Sequence, residues 1–127
     1  MVIFCYDAPA LLRFFLLSFM EFKFFKVAVF VPVKYGDQIR KVIADAGAGH
    51  LGKYDSCTFT TRGMGRFRPL EGSKPYFGQT GKVEEVEEEK IEFICAQGLL
   101  KNVVWEIRKN HPYEEPAIDI YPLMNER

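Results

Sequence analysis

The chain has 127 residues, 48% apolar and 27% charged, and its 17 basic side chains balance 17 acidic ones to give zero formal net charge. That length suits one domain with a real hydrophobic core, and the neutral balance gives no global reason to expect nucleic acid or a membrane surface as partner. Three cysteines, Cys5, Cys57 and Cys95, share no Cys-x-x-Cys spacing, which argues against a disulfide framework or a zinc knuckle and for reduced thiols in a cytoplasmic protein.

Residues 1–23 read as an N-terminal apolar extension. Leu11 to Met20 is rich in Leu and Phe, yet no basic segment precedes it, Asp7 and Pro9 stand before it and Arg13 interrupts it. The unbroken part falls far short of the roughly 20 residues needed to span a bilayer. Three readings stay open: an amphipathic helix packing on the domain or a partner, an upstream extension of a chain whose natural start is Met20, or a targeting segment.

Residues 24–127 read as a single domain in which one pattern occurs twice. Lys26–Val31 is a β-branched apolar run of the kind a central strand shows, and Ile39, Val42, Ile43 and Ala46 then place one apolar stripe on a helix from Tyr35 to Ala46. Gly47 and Gly49 are natural stops for that helix. The second instance is Ile91–Ala96 followed by a helix over Leu99–Asn110, with Leu100, Val103, Val104 and Ile107 at the same offsets. An extended segment follows each pair, Tyr54–Arg62 and Ala117–Tyr121, so the order is βαββαβ. Two such units with one-sided helices predict a ferredoxin-like α+β sandwich, an antiparallel sheet covered on one face by two helices. In the third strand Ile91, Phe93 and Cys95 point one way and Ile94 the other, so the second face is partly apolar. A homo-oligomer is the expected cover for it.

The segment Gly63–Gly81 exceeds the two to five residues of an ordinary hairpin loop. Its glycines and prolines set bends, and Phe67, Tyr76 and Phe77 give it something to bury, which predicts an ordered arm between the second and third strands. Charge is segregated around the arm. Residues 50–82 carry six basic side chains against two acids, and residues 83–92 carry six glutamates against Lys90. Three readings account for this: charge pairing across the hairpin's own strands, the basic arm of one subunit meeting the acidic strand of another, or an anionic ligand held by Arg62, Arg66, Arg68 and Lys74 with backbone N–H groups of the glycine turns. The basic patch is small and lies beside the acidic strand, which argues against nucleic acid.

His111-Pro112-Tyr113-Glu114-Glu115-Pro116 is the densest cluster of donor groups in the chain and predicts a rigid helix-to-strand corner, because proline biases its predecessor away from helix. His111, Tyr113, Glu114 and Glu115 could hold a ligand or a divalent ion, or His111 and Tyr113 could be fixed by hydrogen bonds as pure architecture. Adjacent Glu114 and Glu115 would point oppositely in an extended segment. Cys57 and Cys95 fall in phase with strand apolar residues and read as small core residues. His50 reads as a loop histidine. No nucleophile, base and orienter assemble, so no catalytic residue, cofactor or enzyme activity is expected.

Gly49-His50-Leu51-Gly52-Lys53-Tyr54-Asp55-Ser56-Cys57-Thr58-Phe59, Gly63-Met64-Gly65-Arg66-Phe67-Arg68-Pro69 and Gly72-Ser73-Lys74-Pro75-Tyr76-Phe77-Gly78 together resemble the inserted middle domain of YqfO-type proteins. His111–Ala117 is similar both to that domain and to the corner of CutA. The resemblance covers residues 24–123 and implies a CutA-like, PII-like ferredoxin fold, usually a trimer, whose hairpin contacts a neighbour; a dimer is the alternative. It gives no metal-dependent hydrolysis, because the domains that carry the two-metal site in that family are missing from this sequence. The expectation is a non-enzymatic oligomeric binding or regulatory module with a small anionic ligand near the arm. The alternative is a divalent-ion-binding protein using the His111 corner.

Overall fold

The computed structural model describes residues 22–124. Most of the apolar extension expected over residues 1–23 therefore lies outside the described residues. Strand β1 runs Phe24–Pro32, helix α1 Gly36–Asp45 after a single 3₁₀ turn at Val33–Tyr35, β2 Phe59–Phe67, β3 Glu84–Ala96, helix α2 Gln97–Asn110 and β4 Ile118–Leu123. The four strands form one sheet in the order β2-β3-β1-β4, and every neighbouring pair is antiparallel. This is the expected βαββαβ sandwich.

The core lies between the helices and one sheet face. Val27, Val29 and Val31 of β1 and Ile91, Phe93 and Cys95 of β3 meet Ile39 and Ile43 of α1 and Val103 and Ile107 of α2. Val42, Ala46 and Leu100 pack at its margin, so both predicted apolar stripes face inward. Helix α1 stops where glycine permits it. Gly47 has φ +89°, its N–H bonds Ala44 O at 3.0 Å, and Ala48 N–H bonds Ile43 O at 3.2 Å, closing the free carbonyls of the last turn while Ala48 packs in the core with Ile43.

The second strand departs from expectation at both ends. It begins at Phe59, because Gly49–Ser56 forms a loop with a Leu51–Tyr54 bridge and Ser56 at φ 57°, which no strand accommodates. It continues through Gly63 and Gly65 to Phe67, residues expected in the arm, because β3 extends down to Glu84 and supplies a partner for each. The later start takes Cys57 out of the sheet. Cys57 is half-buried outside the core and Phe59 is exposed, whereas Cys95 is buried as expected.

The arm proper covers residues 68–83 and is closed by its own bonds. Gly81 N–H bonds Pro69 O at 2.8 Å, and both Ser73 N–H and Ser73 Oγ donate to Leu70 O. It folds over the sheet face turned away from the helices. That face is thus covered near β2 and β3 by the chain itself, while Phe59 and Tyr121 remain exposed on it.

Candidate functional site

His111 ends α2 with extended backbone, φ −85° and ψ 139°, as proline at the next position requires. Its ring is buried, and both nitrogens are engaged. Nε2 lies 2.7 Å from Phe30 O and Nδ1 lies 3.1 Å from Tyr113 N. A carbonyl only accepts and a backbone N–H only donates, so Nε2 carries the proton and Nδ1 accepts: the imidazole is neutral. Burial lowers its pKa, opposed by the Phe30 bond and the charge of Glu88. His111 thus ties the corner to β1 and shapes the turn that presents Tyr113.

Tyr113 reaches onto the sheet, where its hydroxyl donates to Glu88 Oε2 at 2.7 Å. Burial, reinforced by Glu88, holds this phenol well above its ordinary range, so it stays protonated. Glu88 takes that position because Gly65 has no side chain: a Cβ there would fall 1.9 Å from Glu88 Oε1. The strand glycine and the corner tyrosine are therefore two ends of one latch.

The arm closes on the corner. Glu114 Oε1 accepts from Lys74 N at 3.1 Å, and Tyr76 packs against Tyr113 with ring centroids 6.2 Å apart. Tyr76 also meets Tyr35 hydroxyl to hydroxyl at 2.9 Å, with Lys34 Nζ lying over both rings. That shared bond, aided by Lys34, pulls the Tyr76 phenol below its ordinary pKa and pushes Tyr35 up. Phe67, at the end of β2, completes the cluster 6.4 Å from Tyr113.

Between arm, corner and sheet lies a groove of about 780 Å³. Residues 61–67 of β2 and Phe30, Glu88 and Lys90 line it from the sheet, Pro69, Leu70, Pro75, Tyr76 and Phe77 from the arm, and Tyr113, Glu114 and Glu115 from the corner. Of the expected ligand residues, Arg62, Arg66, Arg68, Tyr113, Glu114 and Glu115 line it. His111 stands behind it as a support, and Lys74 reaches it only through the backbone bond to Glu114. Both corner glutamates line the groove because residues 112–115 bend instead of running extended.

The basic residues are not equivalent. Arg66 pairs with Glu85 at 2.9 Å and Arg62 lies 4.0 Å from Glu89, each directly across the β2–β3 ladder. Charge segregation is thus satisfied in part within the hairpin itself. Arg68 makes no ion pair or hydrogen bond among the described residues. Sequence reasoning missed Arg40, which holds the nearly buried Glu89 at 2.9 Å while also bonding Thr60 and Asp37. The missed signal was an arginine one position after Ile39 on the stripe edge of α1, facing a glutamate in phase with Ile91. A smaller cleft of about 270 Å³ adjoins His50, Leu51 and Leu99. Among the described residues no three His, Cys, Asp or Glu side chains gather as a metal cage, and no helix is long and apolar enough to cross a membrane. Burial pushes the Cys95 thiol up to about 11, which leaves it a poor nucleophile at neutral pH.

No family model matches the chain. It is 51% identical over 102 residues to a protein named GTP cyclohydrolase 1 type 2 homolog from Halalkalibacterium halodurans, covering 80% of this chain and 27% of that one. With the protein of the same name from Bacillus subtilis it is 45% identical over 98 residues, 77% and 26% of the two chains. Among solved structures it resembles a Bacillus cereus protein related to NIF3, with TM-score 0.72, 45% identity and 82% of this chain against 26% of that one. The periplasmic divalent cation tolerance protein CutA from Archaeoglobus fulgidus matches with TM-score 0.60 at 16% identity, 82% and 87% of the two chains, a likeness of fold alone. The chain thus has the CutA-like ferredoxin fold and spans about a quarter of the length of the curated relatives it matches.

Proposed function

We propose that this chain is the CutA-like insert unit of the YqfO/NIF3 type and works as a non-enzymatic, homo-oligomeric binding or regulatory module, holding a small anionic ligand between the arm and the corner. The observation that carries this reading is the groove itself: about 780 Å³, within the roughly 300–1,000 Å³ of small-molecule sites, apolar over most of its wall with a few polar groups converging on it. A cyclohydrolase reaction is not carried over, because the match covers about a quarter of the proteins bearing that name. Assembly is supported by the exposed Phe59 and Tyr121 on the sheet face the arm leaves open, with a trimer preferred to a dimer only as the resemblance to CutA-like domains implies; light scattering tests it, and a monomer at micromolar concentration contradicts it. A thermal-shift panel of nucleotides, inorganic anions and divalent ions tests the ligand class, with stabilisation by anions expected.

The divalent-ion alternative meets an obstacle at His111. A metal needs a ring lone pair, and the one on Nδ1 is accepting the Tyr113 N–H. Stabilisation by divalent ions that disappears in His111→Ala would favour that alternative over the anion reading.

A further inference from the structure

We infer that the arm–corner groove selects a planar aromatic anion, its ring laid on the glycine floor of β2 and its charge directed to Arg68. This rests on the reading of the groove as an anion site and goes beyond it in naming the ligand's shape and orientation.

Gly63 keeps the floor flat. Thr61, Gly63 and Gly65 share one face of an edge strand, and a Cβ built on Gly63 meets nothing within 4 Å. The two glycines differ: the space over Gly65 is taken by Glu88, and the space over Gly63 is open. The walls beside that floor are aromatic. Phe67 and Tyr76 flank Tyr113 with centroids 6.4 and 6.2 Å away and ring planes tilted by 49° and 51°. Phe77 lines the arm side and is 47% exposed although it stands in a groove wall. Aromatic faces prefer offset or tilted partners, so a flat ring system is the shape these walls accept.

Charge then orients the ring. Arg62 and Arg66 are matched to Glu89 and Glu85, and Lys90 lies 3.8 Å from Glu92. On the acidic side Glu88 accepts from Tyr113 and Glu114 from Lys74, leaving exposed Glu115 on the corner rim. Arg68, on the arm, is the cation lining the groove that has no partner among the described residues. An anion is favoured at the arm and repelled from the corner. An inorganic anion would meet one exposed guanidinium and a largely apolar wall, whereas a ring bearing the same charge uses both.

The test uses the whole 127-residue chain and four calorimetric titrations: 2-naphthoate, its neutral isostere 2-naphthalenemethanol, benzoate and inorganic phosphate. Saturable binding of 2-naphthoate is expected, at least about tenfold tighter than either of the last two. Gly63→Leu fills the floor at a position without left-handed backbone and should abolish binding with the melting temperature kept. Gly63→Ala, a smaller insertion, should weaken it and serves if the leucine variant does not fold. Arg68→Gln should reduce naphthoate binding and leave the alcohol unchanged. Phosphate binding as tight as naphthoate binding, or equal binding of alcohol and naphthoate, overturns this inference; in the first case the anion-site reading survives. Naphthoate binding that ignores Gly63→Leu removes the ligand from this floor. Failure of every anion to bind overturns both readings.

Discussion

Replacing His111 by alanine should loosen the corner without altering any response to divalent ions. The change deletes the bond from Nε2 to Phe30 O at 2.7 Å and the bond from Tyr113 N–H to Nδ1 at 3.1 Å, at a residue only 8% exposed. Two neutral hydrogen bonds contribute about 2 kcal/mol net, and a buried carbonyl or N–H left unpaired adds about 1–3 kcal/mol, so a loss of about 3–5 kcal/mol is expected. For a domain of this size that corresponds to a fall in Tm of roughly 10–20 °C. The histidine also carries a pH signature. Burial lowers its folded pKa below the ordinary 6.5, so its stabilisation is complete above pH 6.5 and is lost as pH falls through the folded value. The slope cannot exceed about 1.4 kcal/mol per pH unit for one proton. Protonation at Nδ1 would also displace the Tyr113 N–H, so acid should open the corner first. Denaturant titrations at one protomer concentration, followed by far-UV circular dichroism at pH 7.5, 6.5 and 5.5, measure both effects. Trp105, the single tryptophan, is 62% exposed and would report unfolding weakly by fluorescence. A variant as stable as the parent at pH 7.5, or with an equal slope between pH 6.5 and 5.5, would contradict this role for His111.

Arg40→Ala should cost about 3 kcal/mol, because it leaves the carboxylate of Glu89, with 9% of its side chain exposed, near only the distant Arg62. Arg62→Ala should cost less than about 1 kcal/mol, since that side chain is 69% exposed and makes no hydrogen bond to Glu89; denaturant melts separate the two. Gly36→Ala sets helix propensity against packing: alanine is favoured by less than the about 1 kcal/mol of a helix interior, because Gly36 is the first residue of α1, and the new Cβ would lie 1.8 Å from Glu89 Oε1. Net destabilisation is expected, and a rise in Tm would show that the Arg40–Glu89 pair yields easily. Tyr113→Phe and Gly65→Ala each break the latch on Glu88, by removing the donor and by displacing the acceptor. Each should cost about 1–2 kcal/mol, and a double-mutant cycle should find them strongly non-additive; simple additivity would disprove the latch.

The layers of the fold were readable because each core position repeats a period. Ile39 and Ile43 on one helix, Val103 and Ile107 on the other, and Val27, Val29, Ile91 and Phe93 on the sheet all announce their faces by spacing alone. The ends of β2 were not readable. Tyr54 and Cys57 have strand-like composition, yet a left-handed Ser56 precludes a strand there, while Gly63 and Gly65 look like loop residues and are strand residues because β3 pairs with both, Gly65 also leaving the space that Glu88 fills. The corner was visible from its prolines and its histidine. Its engagement with the arm through Glu114 and Lys74 was not, because forty residues separate the partners and neither has a periodic signal. The same holds for Arg40 and Glu89, joined across forty-nine positions.

Amide chemical-shift mapping on the ¹⁵N-labelled chain decides whether arm and corner together form an anion-binding groove. Titration with the anion that stabilises the protein most should give saturable shifts at residues 61–67, in the arm at Arg68 and Phe77, and at Tyr113 and Glu115. Shifts that do not saturate, or that gather instead around His50 and Leu51 in the smaller cleft, would contradict it.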